Sequence, residues 1–249
     1  MSSQPKISFI IPVLYLQRPL NKKRFFMPRS TIKDVLEDIT KNVNTSYEII
    51  VICNSTEDKL VNFIKKNKTI TKYVLNSTNP GVARSWNIGA EMAQGEYLCF
   101  VNDDVRIGKN SIEQLEAALD TNPEVGEVGP RGDLYENGKS KKFVGLERPE
   151  TADVISGYLF MVRSNTYFKV GGFDTFYTPA GYEEVDFSFS IRKMGQKCLV
   201  LPNLDIVHNE YHGVSSFKST INFFNTSIDT NELHERNKKY FFEKWKFNS

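Results

Sequence analysis

Two groups of carboxylates lie far apart in the chain. Asn102-Asp103-Asp104 follows the apolar run Tyr97-Leu98-Cys99-Phe100-Val101, and Glu183-Glu184-Val185-Asp186 follows Pro179-Ala180-Gly181-Tyr182. An unpaired charge at the tip of a buried strand is costly, so such an acid answers to a cation, a proton or a helix end. An Asp pair after a strand suits a hard divalent cation, which is held by one or two carboxylates together with substrate phosphates. The same pair can shape a turn or cap a helix, and the motif alone leaves both readings open. Glu183, Glu184 and Asp186 have only Arg192 and Lys193 nearby in sequence, so they cannot all be ion-paired on one turn. A helix N-terminus favours each acid by roughly 0.3–1 kcal/mol, which accounts for one of the three better than for the group. Two of the three histidines, His208 and His212, close a later apolar stretch. There an imidazole could complete a metal shell, and it suits Mn²⁺ better than Mg²⁺.

The elements that must carry these residues follow from periodicity. Residues 6–13 and 47–53 read as strands rich in Ile and Val, as strands buried on both faces are. Residues 72–75 and 96–101 read as two more strands, the last ending in the Asp pair. Between them, Ile32, Val35, Leu36, Ile39 and Val43 recur at helical spacing behind a Ser30-Thr31 cap, and a second helix follows from about Thr56. A third helix covers residues 81–94. This alternation predicts an α/β fold with a mostly parallel sheet flanked by helices, in which ligands sit at the carboxyl ends of the strands. Further on, a helix is expected at 111–120 and a loop or ragged hairpin at 130–149. Apolar order returns at 154–162, a helix opens at the second acidic group and runs to Arg192, and strands follow at 198–201 and 205–208. A C-terminal amphipathic helix spans 231–245.

Composition sets the outer bounds. The 249 residues, 40% hydrophobic and 25% charged, are enough for one large core. With 32 basic against 30 acidic residues there is no global field for nucleic acid, so any anion is met locally. Cys53, Cys99 and Cys198 sit in apolar runs as free thiols would, which favours a reducing, cytoplasmic setting. The apolar run at 7–16 is broken by Pro12 and is too short to span a bilayer.

Several ordered motifs together carry a resemblance. They are Ile7-Ser8-Phe9-Ile10-Ile11-Pro12-Val13, Glu48-Ile49-Ile50-Val51-Ile52, Asn79-Pro80-Gly81-Val82-Ala83-Arg84-Ser85-Trp86-Asn87-Ile88-Gly89, and Gly95-Glu96-Tyr97 before the acidic pair. Gly171-Gly172-Phe173-Asp174, the second acidic group, and Leu201-Pro202 ahead of His208 complete the set. Over residues 6–213 the chain resembles family 2 glycosyltransferases of the GT-A fold, most closely rhamnosyltransferase-like members. The resemblance implies a catalytic domain over 1–215, with a nucleotide-sugar half (1–105) and an acceptor half (106–215), followed by a helical appendage over 216–249.

The resemblance also implies residue roles. Asp104 is the metal ligand and His208 helps hold the metal, Mn²⁺ or Mg²⁺. Asn102 and Asp103 lie near the ribose or sugar. Pro12, Val13 and Asn54 lie where base and ribose bind, and Arg84 and Asn87 face the diphosphate or donor sugar. Glu184 is the catalytic base with Glu183 as its rival, and Asp186 orients the acceptor or supports the helix. Two positions depart from the family pattern: Cys53 stands where an Asp usually holds the nucleobase, and Glu184 where the base is usually Asp. The partners implied are a UDP-, dTDP- or GDP-linked sugar and a glycan or lipid-linked acceptor. The expected reaction is a single in-line displacement with inversion, serving bacterial-type surface polysaccharide synthesis.

The residues also weigh against other classes. No Gly-rich phosphate loop follows the first strand, where Leu14-Tyr15-Leu16-Gln17-Arg18-Pro19 stands, which argues against a nucleotidyltransferase or a dehydrogenase. The competitor from another class is a non-catalytic nucleotide-sugar or glycan-binding module. The segment 15–29, with Lys22, Lys23, Arg24 and Arg29 beside Phe25 and Phe26, reads as a solvated loop. The aromatic, basic tail reads as docked onto the catalytic domain or onto a second copy in a homodimer, with peripheral membrane contact as the rival hypothesis.

Overall fold

The computed structural model describes residues 4–19, 22–210 and 219–247. Its first half is the alternation expected. Strands β1 (Ile7–Val13), β2 (Tyr47–Cys53), β3 (Lys72–Leu75) and β4 (Tyr97–Val101) pair in parallel in the order β3-β2-β1-β4. Helices α1 (Ile32–Asn42), α2 (Asp58–Lys66) and α3 (Val82–Met92) make the crossovers. The start of α1 is set locally: Thr31 accepts from the Lys33 amide, and Asp34 reaches back to the Thr31 amide in a reciprocal cap. Ile32, Val35, Leu36 and Ile39 then face the sheet.

After β4 the chain forms β5 (Val105–Ile107), α4 (Ser111–Thr121), β6 (Val125–Gly129), β7 (Gly132–Glu136), β8 (Lys139–Val144), β9 (Glu150–Ala152), β10 (Val154–Ile155) and β11 (Leu159–Arg163). Then come α5 (Ser164–Val170), α6 (Glu183–Lys193), β12 (Lys197–Val200) and β13 (Ile206–His208). The hairpin β14 (Thr220–Phe223) and β15 (Thr226–Asp229) leads into α7 (Thr230–Trp245). The main sheet continues β4-β11-β6-β12-β9, and β11 runs antiparallel to both β4 and β6. The sheet is therefore parallel through its first four strands and mixed beyond them. The reason is connectivity: β11 enters from the β7-β8-β10 sheet rather than through a helical crossover, so nothing forces it parallel.

Two local features matter for the site. The segment expected as a loop or ragged hairpin is the β7-β8 hairpin, and the apolar run 154–162 is split into β10 and β11 by Ser156-Gly157-Tyr158. The three-residue strand β13 pairs antiparallel with β5 in a register that sets His208 opposite Val105.

The tail docks on the catalytic body. Phe241 and Phe242 are buried in one cluster with Tyr177, Val185 and Phe189. No helix among the described residues is long and apolar enough to cross a membrane.

Candidate active site

The carboxyl ends of β1, β2 and β4 open into a cleft lined by Pro12, Val13, Asn54, Asn102, Asp103, Asp104 and His208, with Tyr15 and Arg18 from the segment after β1. Asp103 and Asp104 are both buried. The β5-β13 pairing brings His208 to Asp104 across a hundred residues of chain: His208 Nε2 lies 3.3 Å from Asp104 Oδ1, and the Asn209 amide donates to the Asp104 carbonyl at 3.1 Å. The Tyr158 ring stacks on His208 at 4.5 Å between centroids, and Glu210 lies 3.9 Å from Nδ1, on the side away from Asp104. Arg18 joins the two aspartates. One of its nitrogens pairs with Asp103 Oδ1, and Nη1 lies 2.7 Å from Asp104 Oδ2. Burial raises the Asp103 carboxyl above its ordinary range; the Arg18 charge pulls it back and the Asp104 charge pushes it further up.

A second cleft adjoins the first and shares Val82, Asn102, Ala180, His208 and Glu210 with it. Its own walls include Tyr135, Phe143, Tyr158, Glu183 and Glu184. The two glutamates open α6. Glu183 is buried and its Oε2 has no hydrogen-bond partner, while Glu184 is half-buried at the cleft. Burial, and then the charge of Glu184, pushes Glu183 well above the carboxylate range. Burial raises Glu184 as well, against the amides of Glu184 and Val185 at the helix start, which favour its ionised form. Both carboxyls are thus pushed upward, Glu183 by burial and the neighbouring charge, Glu184 by burial with the helix-start amides opposing it. Gly157 makes room for Glu184: a Cβ there would lie 2.9 Å from Glu184 Cγ.

The loop before α6 is held from the far side by α7. The Asn237 side-chain amide, fully buried, faces the carbonyls of Tyr177 at 3.1 Å, Ala180 at 3.0 Å and Gly181 at 2.8 Å. Arg236 donates to the Thr178 carbonyl. The Pro179 carbonyl in turn accepts from the Val82 amide at 2.8 Å, tying the loop to the start of α3. Gly81 permits that approach, since a Cβ there would meet the Pro179 backbone at 2.8 Å.

These contacts turn two of the expected donor-facing side chains elsewhere and, of the two roles expected for Asp186, match the support of a helix. Arg84 is exposed, sits over the Phe224 ring at 5.6 Å and lines neither cleft. Asn87 is turned to the Gly-Gly turn before Asp174: its oxygen accepts from the Tyr167 hydroxyl at 2.6 Å and the Phe173 amide at 2.9 Å, and its nitrogen donates to the Phe173 carbonyl. With every polar atom bound there, it does not face a diphosphate. Asp186, buried, accepts from Tyr177, Lys244 and Trp245, so it anchors α7 rather than meeting an acceptor. His212 lies outside the described residues. Phe25 and Phe26 are well exposed, as a solvated segment would leave them. Sequence reasoning passed over Arg18, Gly157 and Asn237. Only Arg18 left a signal, as a cation five residues beyond the carboxyl end of β1, where such sheets bind ligands.

The donor-side residues fit a divalent cation. Asp104 is buried; its Oδ2 is ion-paired with Arg18, while its Oδ1, without a hydrogen bond among the described residues, faces an imidazole nitrogen. Two acceptors directed at each other at that distance need a proton or a cation between them. Among the described residues no third His, Cys, Asp or Glu joins them in a metal-sized cluster. The remaining positions fall to water and phosphate oxygen, as is usual for Mg²⁺ and related ions.

Comparison with known proteins bears on the family and the fold. Residues 25–177, well over half of the chain, match the family model described as Glycosyl transferase family 2. An uncharacterized glycosyltransferase of Haemophilus influenzae is 23% identical over 158 residues, covering 59% of this chain and 53% of its own length. The poly(ribitol-phosphate) beta-N-acetylglucosaminyltransferase TarP of Staphylococcus aureus is 30% identical over 115 residues, 44% of this chain and 32% of TarP. The chain thus spans about half, or less, of the curated relatives it matches. Among solved structures, GalNAc-T7 with UDP, GalNAc and Mn²⁺ superposes with a TM-score of 0.64 at 19% identity, covering 84% of this chain and 44% of that one. The mannosyltransferase PcManGT from Pyrobaculum calidifontis, in complex with GDP-Man and Mn²⁺, gives 0.58 at 16% identity, covering 84% and 58%. At those identities the superpositions speak for the GT-A fold alone. With the family model matched from the segment after β1 to the loop before α6, the chain belongs to glycosyl transferase family 2.

Proposed function

We propose that this chain is an inverting, divalent-cation-dependent glycosyltransferase that moves a sugar from a nucleoside-diphosphate donor to an acceptor hydroxyl in the making of a surface glycan. The observation that carries the reading is the junction of the two clefts: His208, 3.3 Å from Asp104 in the first, also lines the second, where Glu184 stands. The partners of similar proteins point the same way, a nucleotide or nucleotide sugar with Mn²⁺ for the two solved structures and poly(ribitol-phosphate) for TarP.

The chemistry follows from where charge moves. Breaking the bond between anomeric carbon and phosphate leaves negative charge on the diphosphate and oxocarbenium character on the sugar. A cation bound at Asp104 and His208 would supply Lewis-acid stabilisation of that departing charge. Pro12, Val13 and Asn54 would bind the nucleoside end of the donor. Glu184 would take the acceptor hydroxyl proton as the oxygen attacks, its pKa raised by burial. A single displacement with the base opposite the leaving group inverts the anomeric centre. Tyr135, Phe143 and Tyr158 give the acceptor cleft aromatic walls suited to a sugar ring.

The test is a thermal-shift screen of UDP-, dTDP- and GDP-sugars with Mn²⁺, Mg²⁺ or EDTA, because a ligand that binds only the native state raises its melting temperature. We expect one nucleotide class to raise Tm, only in the presence of the cation. A flat response to all three classes in both metals would reject the proposal.

A further inference from the structure

With Arg84 and Asn87 turned away, the cation among the described residues that faces the donor cleft beside the aspartates is Arg18. Its guanidinium bridges Asp103 and Asp104, taking Oδ2 of Asp104 while His208 faces Oδ1. It is also set in place from behind: Arg29, at the end of the same segment, donates to the Arg18 carbonyl. Resting on the function proposed above, we propose that Arg18 is an exchangeable counter-ion. In the ligand-free protein it bridges the two aspartates and offsets one of their two charges, and on donor binding it passes to the diphosphate oxygens, releasing Asp104 to the divalent cation.

The reason is charge arithmetic in a small volume. Two buried carboxylates side by side repel, and without a counter-ion one of them would have to take up a proton. A guanidinium fits the gap because its planar fork places one nitrogen on each carboxylate, and the same fork is suited to phosphate oxygens. A divalent cation approaching Asp104 meets the Arg18 charge at once, so the cation alone is disfavoured. A nucleoside diphosphate brings acceptors for both positive groups and removes the competition. Cation and nucleotide are then coupled through one side chain, and by linkage each must strengthen the binding of the other by the same factor.

The test uses the full chain and two readouts that need no activity: bound Mn²⁺ from loss of the free-ion electron paramagnetic resonance signal, and nucleotide affinity by calorimetry. The probes are UDP, dTDP and GDP, with the corresponding nucleosides as controls. In Arg18→Met we expect Mn²⁺ alone to bind at least as tightly as in the parent, and the preferred diphosphate to bind about ten- to a hundredfold more weakly, the range for losing charge-assisted hydrogen bonds. Nucleoside affinity should stay within twofold. Arg18→Lys, which keeps the charge without the fork, should fall between and guards against a folding artefact. Loss of Mn²⁺ binding and diphosphate binding together in both variants, or an unchanged coupling factor, overturns the exchange. A parent protein that binds neither Mn²⁺ nor any of the three diphosphates defeats the proposed function itself, and the inference with it.

Discussion

The donor edge and the acceptor edge of the cleft each hold a pair of adjacent acids, and they hold them by opposite means. Asp103 and Asp104 are bridged by a side chain, Arg18, from the segment after β1. Glu183 and Glu184 have no ion-pair partner among the described residues; they are fixed at the N-terminus of α6, with the loop before them pinned by Asn237. A charge met by a side chain can change partners when a ligand arrives. A charge met by helix amides and burial cannot, and its pKa is set before substrate comes. On the proposed function, the donor edge would serve ligand exchange and the acceptor edge a pre-set proton transfer, a contrast that can be broken at three points.

The largest effect is expected at Glu184. Glu184→Gln should lower sugar transfer by about two to four orders of magnitude, the usual worth of a positioned general base, while nucleotide and Mn²⁺ affinity stay close to the parent. If binding falls in step with turnover, the two edges are not separable. A smaller loss is expected from Asn237→Leu, which leaves buried carbonyls of the loop before α6 without a donor. Stability should drop by roughly 1–3 kcal/mol in denaturant titration. Turnover should drop up to about a hundredfold with donor KM unchanged, the signature of a misplaced base. A change in donor KM alone would tie α7 to the wrong edge.

The smallest and sharpest test is at Glu127. It lies fully buried behind α6 with its Oε2 accepting from Ser188 at 2.7 Å, and burial pushes its pKa from 4.5 up to about 8. Between those values the native protein keeps a proton that the unfolded chain has released. Stability contributed by this group is therefore fully present below about pH 4.5 and is lost as pH rises to about 8. Glu127→Gln has no proton to lose, so its melting temperature should fall less than that of the parent between pH 5 and pH 8. Parallel pH curves for the two proteins would remove Glu127 from the set of protonated buried acids.

The strand and helix pattern of the first hundred residues is legible because the helices and the central strands bury repeating sets of apolar side chains, and the edge strand β3 keeps an apolar run without burying it. β2 and β3 fall at the boundaries read from sequence, and β1 and α3 begin one residue later than expected. The second half is harder for equally physical reasons. β6 carries two glycines and Glu127 in five residues, so it has no strand periodicity, and β5 and β13 are three residues each. The acids of both edges and His208 were readable from residue type and position after an apolar run. Arg84 and Asn87 were misread because a motif gives a residue's order along α3 but not the direction of its side chain.

By itself the sequence determined the wound α/β half, the two acidic groups and the family pattern they belong to. These rest on local periodicity, caps and motif order, which are properties of neighbouring residues. Only the tertiary structure decided which of those acids share a site. The β5-β13 register brings His208 to Asp104, Arg18 folds back onto the aspartates, and α7 takes Asp186 out of the chemistry. Each of these joins residues about sixty or more positions apart, or depends on where one flexible side chain finds its partner. Such contacts are fixed by packing of the whole chain, and no local pattern encodes them.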